Sequence, residues 1–415
     1  MVTIIETQTS LALEASRPNL TSIPVLDFNL TTSPTTKPRF LGQLREALVI
    51  IGFFYLKNPP LPTCVKQEFV QKSMALCNQP LEKKMEIAMV NSKHFLGYSG
   101  MGLERTAMRM DHREMFDFLT PMPPPKPEDP VWMNVQGPNQ WPDENVVPGF
   151  RVALENYLAA ISNLGNIMKS LVAEALDLAP DALDKFFHDP PRNKVSLLKY
   201  PPPPPPSHTT TSVPVQQNSS SSRRLHSSNS NTGDDEEKET FQGVGAHKDG
   251  GFLTYLLQAT SHPGLEAQSK TGIWVPVPPL PNTLVVNVGR SLEAMTGGVC
   301  TATTHRVRLG PNDFVDPRTG RARGPRFSYP VFQTLKLDLT RDDLCSLRLP
   351  PAVRALVRDG DRAKSDAEAF FAQYHLMSPG QGIFTARLTS HPDVGRRWYP
   401  ELLEAALKGQ EDFRS

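Results

Sequence analysis

The sequence predicts a mainly β protein with flanking helices, a sandwich or barrel rather than a parallel βαβ sheet. Two observations point there. Short strand-like runs recur at Gly251–Gln258, Gly272–Pro276, Thr283–Val288, Thr304–Leu309 and Phe327–Gln333, spaced by Gly, Pro and Asn turns. Long helical periodicity is confined to segments outside this region, above all a stretch from about Arg151 to Leu176.

In chain order, residues 1–20 read as a loose, disordered tail. Ile23–Phe28 alternates apolar and polar positions as a short strand does, and a helix from about Pro38 leads into a buried strand, Ile50–Leu56, closed by Asn58-Pro59-Pro60. Cys64–Cys77 is a further helix, whereas residues 121–130 (PMPPPKPEDP) exclude regular structure because proline lacks a donor and fixes φ. From Arg151 to Leu176, Leu154, Tyr157, Leu158, Ile161, Leu164, Met168, Leu171, Val172 and Ala175 fall at steps of three and four, one apolar face suited to core packing. After Lys194–Tyr200 the composition changes abruptly. At 201–206 come six consecutive prolines, then a Ser/Thr/Asn-rich tract and the acidic run Asp234–Glu237. Residues 201–241 therefore form a low-complexity insertion unable to bury enough apolar surface to order itself. Its proline run reads as a stiff spacer, with a proline-rich-motif partner as the alternative. Helical patterns return at about Lys364–Leu376 and Glu401–Leu407. The expected organisation is an N-terminal region at 21–150, a helix plus β core at 151–335 interrupted by the insertion, and a C-terminal helical extension at 336–415.

Composition excludes several functions. With 44 basic against 43 acidic side chains in 415 residues, net charge is +1, which offers no global attraction to nucleic acid or anionic lipid. The 41 prolines are about twice the usual share of about 5%, and their local concentration explains an apolar content of only 39%. Four scattered cysteines without a Cys-x-x-Cys pair argue against a disulfide framework or structural zinc. No signal-peptide pattern opens the chain and no run of 18 apolar residues occurs, so the expected location is cytoplasmic.

The chemical lead is Gly245-Ala246-His247-Lys248-Asp249-Gly250-Gly251. In an extended chain residues i and i+2 share a face, so His247 and Asp249 can present an imidazole nitrogen and a carboxylate oxygen to one point. His305, in a later strand, can supply a third ligand. Two imidazoles and one carboxylate with open positions suit non-haem Fe(II). A lone His-x-Asp is weak, since chance gives roughly half a match in such a chain. His391-Pro392-Asp393 is one such match; it has no later histidine and no strand pattern and is set aside, as is His112-Arg113-Glu114.

The company of His247 and Asp249 is what gives them weight. Ile23–Phe28, Gly52–Leu56, Gly97-Tyr98, Glu114–Phe118, His247-Lys248-Asp249, Gly264–Ala267, Trp274–Val277, Leu284–Gly289, Leu292-Glu293, His305-Arg306-Val307 and Arg326–Phe332 follow in order. In these blocks the chain resembles the isopenicillin-N-synthase-like family of Fe(II)- and 2-oxoglutarate-dependent dioxygenases, over residues 23 to about 335. The resemblance implies a double-stranded β-helix, or jelly roll, with His247, Asp249 and His305 as iron ligands. It assigns Arg326 and Ser328 to the family's Arg-x-Ser, which grips the distal carboxylate of 2-oxoglutarate, and places Tyr200 near this cosubstrate. Guanidinium and hydroxyl are apt donors for a carboxylate.

The implied activity is oxidation of a small organic molecule by hydroxylation, desaturation or ring formation, in specialised metabolism, with Fe(II), 2-oxoglutarate and O2. A 2-oxoglutarate-independent oxidase or cyclase of the same fold is the alternative, because Arg-x-Ser there holds a substrate carboxylate. A non-catalytic interaction protein is the third reading, opposed by the intact ligand set. The chain departs from the family pattern in the long His305–Arg326 interval, expected to bulge from a hairpin at Gly310–Pro325, in Arg290 where aspartate is common, and in the insertion after Tyr200.

Overall fold

In the computed structural model, residues 22–106, 109–203, 240–356 and 378–412 are described. The expected tail at 1–20, the helix at Lys364–Leu376 and residues 204–239 of the insertion, with most of its proline run, lie outside them.

The strands are β1 (Val25–Asp27), β2 (Phe53–Lys57), β3 (Gly97–Ser99), β4 (Arg105–Thr106), β5 (Arg109–Met110), β6 (Glu114–Leu119), β7 (Asn193–Tyr200), β8 (Phe241–His247), β9 (Leu253–Gln258), β10 (Leu265–Gln268), β11 (Trp274–Pro276), β12 (Thr283–Val288), β13 (His305–Leu309) and β14 (Arg326–Gln333). An eight-stranded sheet has the order β1-β2-β12-β9-β14-β7-β6-β3, and a four-stranded sheet the order β11-β10-β13-β8. Pairing is antiparallel throughout except between β1 and β2. The two sheets enclose a core to which the large sheet gives Phe53, Leu198, Tyr200 and Val285, and the small sheet Val244, Ala267, Val275 and Val307. This is the jelly roll, with helices on the other face of its large sheet.

The longer helices are α1 (Lys37–Glu46), α2 (Thr63–Cys77), α3 (Phe150–Ala175), α4 (Pro379–Ser390), α5 (Pro392–Trp398) and α6 (Pro400–Asp412). Helix α3 buries every apolar residue of its predicted stripe, and Tyr157 stacks on Phe69 of α2 at 3.9 Å between ring centroids. These side chains join Phe252, Tyr255 and Tyr329 in the second core, behind the large sheet. Among the described residues no helix is long and apolar enough to cross a membrane.

Several sequence expectations need correction. Ile50 and Ile51 do not open the second strand: residues Ala47–Ile51 extend α1 as a π-helical turn that leaves Ile50 exposed. Gly52, at φ +69°, ends that turn, and a Cβ there would collide with the Thr301 carbonyl. Phe241 is not part of the insertion but the first residue of β8, paired with Leu309. The His305–Arg326 interval does not bulge from a hairpin, because β13 and β14 belong to different sheets. It crosses between them through a 3-10 turn, Pro311–Phe314, and a Val315–Ala322 bridge. In the C-terminal extension α4 is an element that the sequence pattern did not single out.

Candidate metal centre and substrate pocket

Strand β8 ends at His247 and β13 begins at His305, and the two residues are direct cross-strand partners. Asp249 lies two residues past the end of β8, so it reaches the histidines from a loop rather than from a shared strand face as the i, i+2 argument supposed. Ligand atoms of all three residues lie within 4.8 Å of one another, and Asp249 Oδ1 is 3.6 Å from His247 Nε2 and 3.8 Å from His305 Nε2.

Hydrogen bonds fix which atoms face this point. His247 Nδ1 meets the Gly245 carbonyl at 2.8 Å and His305 Nδ1 meets the Thr303 carbonyl at 3.1 Å. A carbonyl only accepts, so each Nδ1 carries a proton and each Nε2 is the ring nitrogen on the Asp249 side. Asp249 Oδ2 accepts from Thr254 Oγ1 at 2.6 Å and from Asn287 Nδ2 at 2.8 Å, leaving Oδ1 to the histidines. Thr254 and Asn287 are themselves cross-strand partners of β9 and β12, so the large sheet holds the carboxylate that completes a pair from the small sheet. The Arg290 N–H donates to the Asp249 carbonyl at 2.8 Å, so the residue replacing the expected aspartate supports the loop through its main chain.

Burial, with His305 beside it, pushes the His247 imidazole down to about 4, which keeps it neutral and able to ligate. Burial alone would raise the Asp249 carboxyl. His305, His247 and the two hydrogen bonds outweigh it and hold the group below its ordinary value. Among the described residues this is the one such cluster of His, Cys, Asp and Glu. His391 lies elsewhere, accepting from Arg387 at 3.1 Å, and His112 packs edge-on against Phe241.

Arg326 and Ser328 occupy alternate positions of β14, both almost fully buried. Arg326 pairs with Tyr200 across β14 and β7, its guanidinium 4.8 Å from the Tyr200 ring centre. Its Nη2 donates weakly to Gln258 Oε1 at 3.5 Å, and its Nη1 is buried without a hydrogen-bond partner. Such an orphan donor is costly unless an acceptor completes it.

Two family models match the chain. That for the non-haem dioxygenase in morphine synthesis N-terminal region covers residues 23–144, and that for the 2OG-Fe(II) oxygenase superfamily covers 197–334. A 2-oxoglutarate-dependent dioxygenase of Gibberella zeae is 42% identical over 396 residues, 95% of this chain and 96% of the relative. The chain belongs to the 2OG-Fe(II) oxygenase superfamily. The 2-oxoglutarate-dependent dioxygenase frbJ of a Dothideomycetidae species is 37% identical over 93% of this chain and 95% of its own. Neurospora crassa T7H, solved with alpha-KG and 5-formyluracil, shares the fold with a TM-score of 0.63 at 20% identity, over 90% of this chain and 98% of that one. The protein is thus a 2-oxoglutarate-dependent dioxygenase, an oxidoreductase using Fe(II), 2-oxoglutarate and O2. The donors present fit those groups: an imidazole pair with one carboxylate suits Fe(II), and the unpartnered Arg326 Nη1 suits a carboxylate.

A cavity of about 370 Å³ opens onto His247 and Asp249 of this dioxygenase. Its walls include Arg113, Glu104, Lys194, Ser196 and Phe332, of which only Phe332 lies in one of the motif blocks. Arg113 Nη2 is 2.6 Å from Glu104 Oε2, and Lys194 Nζ is 3.0 Å from Asp117 Oδ2. Arg387, from α4, bonds the same Asp117 oxygen and so ties the C-terminal extension to the pocket wall.

Proposed function

We propose that His247, Asp249 and His305 hold Fe(II), that Arg326 and Ser328 grip the distal carboxylate of 2-oxoglutarate, and that the adjoining cavity positions a small organic molecule for oxidation. The reading includes Tyr200 as the wall that keeps Arg326 in place beside the cosubstrate. Specialised metabolism is the setting we infer for the substrate. The observation carrying the proposal is the convergence of three ligand atoms within 4.8 Å, with both imidazole protons committed to carbonyls on the far side.

When bound, Fe(II) with 2-oxoglutarate and dioxygen supplies the oxidant for a substrate C–H bond, 2-oxoglutarate leaving as succinate and carbon dioxide. The residues of this chain orient and exclude. Gly245 and Thr303 carbonyls fix the two rings; Thr254 and Asn287 fix the carboxylate. Arg326 would hold the cosubstrate's distal carboxylate, and Met115, Leu198 and Val244 give the cavity wall its apolar part. The decisive assay is succinate release by the Fe(II)-loaded protein in air. Release that depends on iron and is abolished by His305→Ala supports the proposal. Undiminished release by His305→Ala contradicts it.

A further inference from the structure

We propose that the substrate carries a carboxylate and that Lys194 binds it, at the end of the cavity remote from Arg326. The inference deepens the function proposed above and rests on it for the identity of this cavity as the substrate site.

The inner face of β7 carries Tyr200, Leu198, Ser196 and Lys194 in turn. Tyr200 pairs with Arg326 and Lys194 with Phe332 on β14. At about 3.3 Å per strand residue, roughly 20 Å of strand separates the two pairs. A cation therefore stands at each end of one sheet face, with Leu198 and Met115 lining the stretch between.

At the Lys194 end one carboxylate is shared. Asp117 Oδ2 receives both Lys194 and Arg387, and its Oδ1 receives Ser196. One carboxylate thus faces two cations. Asp117 is fully buried, whereas the Lys194 side chain is 22% exposed and lines the cavity. Asp117 takes one of the three ammonium donors, and Nζ lies 4.8 Å from the centre of the Phe332 ring. Beyond Asp117, Arg113 stands between two carboxylates, Glu104 at 2.6 Å and Asp111 at 3.3 Å, so the wider cluster is balanced and the proposal rests on the donors that Lys194 keeps in the cavity. His391 accepts from the Arg387 guanidinium and is therefore neutral. Burial lowers the Lys194 ammonium to about 8, which still leaves it mainly charged at neutral pH. A lysine serving only as a strut for Asp117 has no need of donors in the cavity. A carboxylate there takes the ammonium donors that Asp117 leaves and lays its carbon skeleton along Leu198 and Met115 toward His247 and Asp249.

The test is saturation-transfer NMR on the full chain with iron withheld and 2-oxoglutarate in excess, so that the Arg326 end is occupied. The probes are the proteinogenic amino acids and short aliphatic and aromatic carboxylic acids, each beside its own primary amide. The expected result is at least one acid bound about tenfold or more tightly than its amide, the worth of a bond to a charged group. Lys194→Met should remove that preference and Lys194→Arg should keep it. Equal binding of every acid and amide by wild type overturns the proposal, and that comparison requires no variant to fold. A preference surviving in Lys194→Met overturns it as well. Succinate assays on the same compounds separate the two readings. An acid that binds the predicted way but gives no succinate with iron leaves the anchor supported and counts against the iron site. Succinate formed as readily with amides as with acids sinks the anchor alone.

Discussion

His247 and His305 face each other across β8 and β13 with 4.3 Å between ring centroids, and each gives its Nδ1 proton to the carbonyl two residues earlier in its own chain. The same local device is used twice. It fixes both tautomers from within the backbone, and the cross-strand register then brings the two Nε2 atoms to one carboxylate. Metal affinity thus depends on sheet register as much as on ligand identity.

Replacing the carboxylate should be the harshest change. Asp249→Ala is expected to abolish iron binding and turnover while leaving the fold intact, as read by iron content after reconstitution and by circular dichroism. Full activity in this variant would refute the ligand assignment.

A milder loss is expected behind the site. Asn287→Ala removes one of two bonds that aim Oδ1 of Asp249, and should weaken Fe(II) binding by about tenfold to hundredfold. Thr254→Val should act similarly through the other bond. Competition against a fluorescent chelator measures both, and unaltered iron affinity in both variants would contradict the role given to these residues.

His391 links the pocket wall to pH. Burial lowers its imidazole to about 4, against about 6.5 in an unfolded chain. It lies among Arg387, Glu104 and Asp117, and it must stay neutral to accept from Arg387. As pH falls, the unfolded state takes up the proton first, so this contribution is complete above about 6.5 and lost progressively down to about 4. Urea unfolding should show wild type losing on the order of 1–2 kcal/mol more than His391→Gln between pH 7 and pH 5. Equal losses would contradict a neutral His391.

At the end of the π-helical turn, Gly52→Ala must adopt a positive φ and collide with the Thr301 carbonyl. A loss of about 1–3 kcal/mol or more is expected in urea unfolding. No measurable change would mean that the turn and the Thr301 loop are free to move apart.

Much of this was legible in the sequence because period-two and period-three-to-four patterns report burial directly. Helix α3 and strand β12 match their expected spans to within a residue. The turn at Ala47–Ile51 was misread because a continuous apolar run looks alike as buried strand or buried helix. Strand β8 was missed because Phe241 follows low-complexity sequence, and Asp249 was placed on a strand face because spacing alone does not show where a strand ends. Asn287 left a trace, a lone polar residue inside Leu-Val-Val-Asn-Val. Lys194 left a fainter one, an even number of residues from Tyr200 on the same strand. Nothing local to Arg387 shows that α4 returns to the pocket, since that contact spans 270 residues.

The most direct test of the central claim is anaerobic titration of the Fe(II)-loaded protein with 2-oxoglutarate, watched for a metal-to-ligand charge-transfer band. The account predicts a saturable band in wild type and its loss, or a shift of the half-saturation point by about tenfold to hundredfold, in Arg326→Ala. Iron bound by wild type without any band, or a band indifferent to Arg326→Ala, would contradict it.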